Sequence, residues 1–233
     1  MRRKDKRKKN FSSLVTTMNR KNEDSFIYQE AYKSLRTNIR FLSSNEKAKS
    51  FVLTSAVQQE GKSSVAINLA ITLAEEGKKV VLLDCNFRTP AMHQYIRGFY
   101  YGKGLTDVLM ETCRINDVLY RINEWQVDLL PAGTIPSNPT ELLLSAQMRQ
   151  VLEILHQKYD YILIDAPSIA LFTDAAIIGG MVEGALLVVR SDYTPVNLVQ
   201  VAKKKLEDVN VKIFGVILSR YAKKSVEEQV AYY

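Results

Sequence analysis

The chain has 233 residues, 46% of them hydrophobic, which is enough to bury one substantial core, and no break in composition asks for a second domain. Its formal charge of +7 is concentrated at the start, where MRRKDKRKK holds seven Lys/Arg against one Asp. No uncharged apolar run of about 18 residues occurs: the most apolar stretch, 161–189, is broken by Asp165, Asp174 and Glu183, so no membrane span is expected.

Residues 1–27 read as a basic flexible arm with no apolar segment of the secretory kind after it. Such an arm suits a solvated tail, a nucleic-acid contact or an anionic-lipid patch, each Lys or Arg adding up to ~1 kcal/mol at a charged membrane. The remainder is close to neutral and shows no basic stripe interleaved with aromatics, so no nucleic-acid partner is expected. Cys85 and Cys113 have no metal-ligand spacing and fit reduced thiols in a cytoplasmic protein; His93 and His156 stand isolated.

The next segment, 28–42, has helical spacing, with Ala31, Leu35, Ile39 and Leu42 along one face and Glu30, Lys33, Arg36 and Arg40 along another. Strands and helices then alternate. The expected order is strand 50–55, phosphate loop and helix 60–76, strand 79–84, mixed helical pieces through Tyr120, and strand 126–130. Helix 141–158, strand 160–165, helix 173–181, strand 184–190, helix 195–208 and strand 212–218 complete it. This is the pattern of an α/β fold whose mainly parallel sheet is flanked by helices, with a core domain over 28–218 and a flexible tyrosine-bearing tail over 219–233.

Between the first strand and its helix stands Gln59-Glu60-Gly61-Lys62-Ser63-Ser64. A loop of this kind turns backbone N–H groups toward phosphate oxygens, lets the Lys62 ammonium reach the β- and γ-phosphates, and offers the Ser63 hydroxyl to Mg²⁺. Ala56 stands where the G-x4-G-K-[ST] pattern has its first glycine, and the match begins at Gly61. A chance G-K-S is the bland alternative; the apolar run 51–53 before it, the helical spacing after it and Gly77 at the helix end argue against that.

Two apolar strands end in carboxylates, VVLLD at Asp84 and YILID at Asp165. Ligands of open α/β sheets bind beyond the carboxyl ends of the strands, and a hard cation such as Mg²⁺ takes oxygen ligands. Asp165 and Asp84 are therefore read as metal-site residues, the alternative being helix or turn caps. Asp84 opens the segment DCNFRTP, which brings a carboxylate, the Asn86 amide and the Arg88 cation close together, so Asp84, Arg88, Lys62 and Asp165 form the candidate catalytic set.

Read together, TSAVQQEGKSS, VVLLDCNFRTP and YDYILIDAPS resemble the bacterial tyrosine kinases of capsule and exopolysaccharide synthesis, a P-loop NTPase family with the MinD/ParA-like fold. The resemblance extends to EAYKSLRTNIRF, GLTDVL and AGTIPSNPTELL. It implies an ATP- and Mg²⁺-dependent autokinase that phosphorylates C-terminal tyrosines of a neighbouring subunit, here Tyr232 and Tyr233 with Tyr221 upstream. Lys62 and Ser64 would contact phosphates, Ser63 would ligate Mg²⁺, Asp165 would hold it through water, and Asp84 would orient or deprotonate the attacking phenol. The resemblance also implies a cytoplasmic chain drawn to the inner face of the membrane by an adaptor, or co-polymerase, whose cytoplasmic tail activates it. A cognate tyrosine phosphatase and a ring-shaped homo-oligomer through an E-x-x-R-x-x-R helix complete the expected partners.

That helix motif reads Glu30, Lys33, Arg36 here, and an ammonium does not replace a guanidinium fork. Gln59 stands where a glycine is usual, and strain follows if that position needs positive φ. Asn86 replaces an aspartate and cannot act as a base. These departures fit a slow kinase or an ATP-binding regulator that serves as a scaffold for the adaptor. A MinD/ParA-like switch ATPase is the rival class; it places a signature lysine five positions before the loop lysine, where this chain has Val57.

Overall fold

The computed structural model describes residues 23–96 and 102–220. The basic arm and the tail tyrosines Tyr221, Tyr232 and Tyr233 lie outside the described residues.

Apolar β-branched and leucine-rich runs form β1 (Ser50–Ser55), β2 (Val80–Asp84), β5 (Tyr161–Asp165) and β6 (Gly184–Arg190), all nearly or wholly buried, as strands covered on both faces must be. With β3 (Tyr120–Ile122), β4 (Val127–Leu130) and β7 (Ile213–Ser219) they make a seven-stranded sheet in the order β3-β4-β2-β5-β1-β6-β7. Every neighbouring pair is parallel except β3 with β4.

Alternate side chains of each strand go to opposite faces and divide the core. Phe51, Leu53, Leu82 and Leu163 pack with α1 (Glu23–Glu46) and α2 (Lys62–Ala74). Val52, Leu83, Ile162 and Ile164 pack on the other face, with α6 (Ala146–Lys158), α7 (Asp174–Gly179) and α8 (Val196–Glu207). The short helices α3 (Leu105–Leu109), α4 (Ile115–Val118) and α5 (Pro139–Leu144) complete the connections.

Four differences from the expected elements have local causes. The first helix extends beyond 28–42, and its buried stripe uses Tyr32, not the exposed Ala31, beside Ile39. Helix 141–158 is two helices. Ser145 adopts an extended ψ of 156° and its hydroxyl accepts from the Met148 N–H at 3.2 Å, ending α5 and capping α6. The expected helical stretch through Tyr120 instead closes on β3, which joins β4 in a tight hairpin with Gln126 at φ 52°. The phosphate-loop helix begins at Lys62, because Gly61 at φ 84° is still in the left-handed region that only glycine enters freely.

The GLTDVL and AGT segments form one joint. Asp107 accepts from the Gly104 N–H at 2.8 Å, from the Thr134 N–H at 3.1 Å and from its hydroxyl at 3.0 Å. Gly104 and Gly133 approach so closely that a Cβ on either would collide with the other's backbone. These motifs hold the ends of β4 and α3 at the rim where β2 and β5 also end.

Candidate functional site

The rim is built from the carboxyl ends of β1, β2 and β5. Parallel register sets Asp84 directly beside Asp165. Leaving β1, the chain makes the phosphate loop and enters α2, so Lys62 and Ser63 occupy the first helical positions, where backbone N–H groups lack intrahelical partners. The loop borders a cavity of about 550 Å³ whose walls include Gln59, Lys62, Ser63, Asn86, Ser168 and Arg190.

The loop's shape is fixed by Glu60. Expected among the nucleotide-binding residues, its side chain is fully buried and turned to structural work. It accepts from the Val57 N–H at 2.6 Å, the Arg190 N–H at 3.2 Å and the Thr194 hydroxyl at 2.5 Å. The Ser219 hydroxyl bonds the Glu60 carbonyl at 2.5 Å, tying the loop to the end of β7. Gln59 does sit at positive φ, 62°, so the expected strain is present.

Behind the loop, the Ser63 hydroxyl donates to Asp165 Oδ2 at 2.5 Å. Asp165 Oδ1 is buried and has no hydrogen-bond partner. Asp84 is wholly buried and accepts from the Asn86 N–H at 3.1 Å. Burial and the neighbouring Asp165 charge push its carboxyl up to about 8, against a smaller opposing effect of backbone N–H groups. Burial raises Asp165 to about 6, with Lys62 and Ser63 pulling the other way. Burial also lowers the Lys62 ammonium, opposed by the charges of Asp165 and Glu60.

These donors suit a nucleotide-bound Mg²⁺. The ion prefers one or two carboxylates together with phosphate oxygens and water, and an unpartnered buried carboxylate oxygen beside a serine hydroxyl is a fitting start. Among the described residues no group of three or more His, Cys, Asp or Glu could by itself hold a metal ion.

Other predicted residues are placed differently. Arg88 forms a two-point ion pair with Asp174, at 2.8 and 3.0 Å, bonds the Thr140 hydroxyl at 3.2 Å and stacks on Phe172 at 4.1 Å. It is not among the residues lining the cavity. Asp174, Thr140 and Phe172 were missed by sequence reasoning; an aspartate at a helix start reads as a cap, and its partner is 86 residues away. Ser64 is reached from α1 through Asn68, which donates to the Ser64 carbonyl at 2.8 Å and the Tyr28 hydroxyl at 3.0 Å.

On α1, Lys33 pairs with Glu30 of the same helix at 2.7 Å, while Arg36 bonds the Thr72 carbonyl at 2.9 Å and lies 3.1 Å from Glu76. No helix among the described residues is long and apolar enough to cross a membrane.

A family model described as an AAA domain matches residues 58–218. The tyrosine-protein kinase YwqD of Bacillus subtilis is 36% identical over 91% of this chain and 88% of its own length. The structure of the chimerical protein CapA2B2 superposes with a TM-score of 0.82 at 30% identity, covering 91% of this chain and 92% of that one. The septum site-determining protein MinD of Pyrococcus horikoshii, complexed with Mg-ADP, is similar at 25% identity and a TM-score of 0.62, over 76% of this chain and 72% of that one.

Proposed function

Because the chain belongs to the bacterial tyrosine-protein kinases, we propose that it uses Mg²⁺·ATP to phosphorylate the C-terminal tyrosines of neighbouring copies and thereby regulates capsular or exopolysaccharide synthesis and export. The observation that carries the chemistry is the register pair Asp84–Asp165 behind Ser63, with Asp165 Oδ1 left unpartnered.

Lys62 would neutralise phosphate charge, and the backbone N–H groups at the start of α2 would orient the chain of phosphates. Ser63 and Asp165, with Asp84 nearby, would hold the metal ion, whose charge offsets that of the transferring phosphoryl group. Asp84, raised by burial and by the neighbouring Asp165 charge, would hold its proton in the empty site and release it when a metal ion favours the ionised form, leaving a carboxylate to orient or deprotonate a phenol. Positioning and charge neutralisation supply most of the rate in such a site. Partners on this reading are a membrane adaptor whose cytoplasmic tail activates the kinase, a tyrosine phosphatase, and further copies of the chain assembled through Glu30, Lys33 and Arg36.

The test is incubation with ATP and Mg²⁺, with and without the adaptor tail, followed by mass spectrometry of the C-terminal peptide. Phosphate on Tyr232 or Tyr233, lost when both are replaced by Phe while ATP binding persists, is the expected result. Phosphate retained in the double variant would move the acceptor to Tyr221 or elsewhere. No phosphotyrosine under any condition would overturn the kinase reading in favour of a scaffold.

A further inference from the structure

The segment after β5 does not leave the sheet. The Ala166 N–H bonds the Leu53 carbonyl at 3.0 Å, the Thr54 hydroxyl bonds the Pro167 carbonyl at 2.7 Å, and the Ile169 N–H bonds the Ser55 carbonyl at 2.9 Å. Residues 166–169 are thereby bolted to the last residues of β1, beside the point where the chain turns into the phosphate loop.

Ser168 sits in the middle of this clamp. It is 2% exposed, it lines the same cavity as Gln59, Lys62 and Ser63, and its hydroxyl has no hydrogen-bond partner within the protein. A buried hydroxyl left unpaired is unfavourable, and on a residue that lines a phosphate cavity that penalty can be relieved by ligand. Another unpartnered oxygen, Asp165 Oδ1, lies three residues earlier, at the end of β5. Lys62 and Ser63 approach the cavity from the start of α2, which offers the backbone N–H groups suited to the inner phosphates. Ser168 belongs to the segment that follows β5, on a backbone held to β1 by three hydrogen bonds.

Resting on the ATP reading above, we infer that Ser168 Oγ is a binding group for the terminal phosphoryl group, donating its hydrogen to one of the oxygens that ADP lacks. Such a bond to a charged acceptor is among the stronger kinds, and the clamped backbone means little freedom is lost in making it.

The experiment compares wild type, Ser168→Ala and Ser168→Thr, with Lys62→Met as a control, by calorimetric titration with ADP and with adenylyl imidodiphosphate, both in Mg²⁺. Thermal unfolding of each apoprotein is measured in parallel. Ser168→Ala is expected to bind the triphosphate analogue about tenfold more weakly and ADP as tightly as wild type, with restoration in Ser168→Thr. Its apoprotein is expected to melt no lower than wild type, because an unpaired hydroxyl has been removed. Unchanged affinity for the analogue, or equal losses for both nucleotides, overturns the inference. If Lys62→Met binds the analogue like wild type, the phosphate-loop reading itself fails and takes the inference with it; if only Lys62→Met loses binding, the inference fails alone.

Discussion

At the N-terminal end of the sheet Glu183 accepts from the Ser50 N–H at 2.8 Å and from the Ser50 hydroxyl, and lies 3.0 Å from His156 Nε2. At the C-terminal end Asp165 accepts a single side-chain hydrogen bond, from Ser63, and keeps one oxygen unpartnered. The electrostatic outcomes are opposite. Burial alone would raise Glu183, but the hydrogen bonds from Ser50 and His156 outweigh it and hold the carboxyl below its ordinary value. For Asp165 burial prevails and the carboxyl is raised. A carboxylate whose partners are all supplied by the protein fastens strands together. One whose partners are incomplete is prepared for something from outside.

The sharpest way to break this comparison is to remove the cation at the functional end. Lys62→Met is expected to lower phosphorylation by about a hundredfold to a thousandfold, the range for deleting one group aimed at developing transition-state charge. The fold should persist, since Lys62 is half-buried at the first position of α2 and is not part of the core. Circular dichroism and a phosphotyrosine assay on the same sample check both halves. Undiminished phosphotyrosine would remove the phosphate loop from the chemistry.

A matched pair of carboxylate variants comes next. Asp165→Asn should lose most Mg²⁺-dependent turnover, while the apoprotein melts at the same temperature or higher, because a buried carboxylate with one oxygen unpartnered has gone. Glu183→Ala should do the reverse. It leaves the Ser50 N–H without its acceptor, lowering stability by about 1–3 kcal/mol, with turnover within about twofold of wild type. Chemical denaturation and steady-state kinetics separate the two; a fall in stability for Asp165→Asn as large as that for Glu183→Ala would mean that both aspartate and glutamate are fasteners.

Much of this contrast was legible in the sequence, and the illegible part has a common cause. Apolar runs of four or five residues ending in Asp gave away β2 and β5, and Gly61-Lys62-Ser63 between an apolar run and a helical pattern gave away the loop. Those signals are local. The partners of Glu60 at Arg190 and Thr194, of Arg88 at Asp174 and of Glu183 at Ser50 are 86 to 134 residues away in sequence, and only the fold brings them together. The break at Ser145 and the three-residue β3 were missed for another reason: a single cap or a strand that short has too little periodicity to stand out.

The contrast has a pH signature. The folded values of about 8 for Asp84 and about 6 for Asp165 lie above the ordinary 3.8, so the folded apoprotein retains protons that the unfolded chain has released. Their contribution to stability is complete below about pH 4 and is lost as pH rises through 6 and then 8. Glu183, held below its ordinary 4.5, contributes above that value and loses its contribution as pH falls. The melting temperature of the apoprotein should therefore decline between pH 6 and 8, and Mg²⁺·ATP, which favours the ionised carboxylates, should flatten that decline. A decline equally steep with and without Mg²⁺·ATP would mean that the two aspartates do not face the ligand.

The smallest expected effect concerns the loop's own backbone. Gln59 lies at φ 62°, where an L side chain is strained by about 1–2 kcal/mol, and the loop is kept there by the bonds that Glu60 makes to Val57, Arg190 and Thr194. Gln59→Gly removes the strain but adds freedom to the unfolded chain, an opposing term of about 0.5–1 kcal/mol. The net change should be a gain of less than about 1 kcal/mol in the apoprotein, read by denaturant unfolding at fixed pH. If the strain is maintained wholly by the Glu60 anchor, the gain should shrink in a Glu60→Gln background, where the loop can already relax; the double-mutant cycle measures that coupling. Equal gains in both backgrounds would show that the positive φ is set by Gly61 and the start of α2, and that the Glu60 side chain governs only where the loop sits against the end of β6.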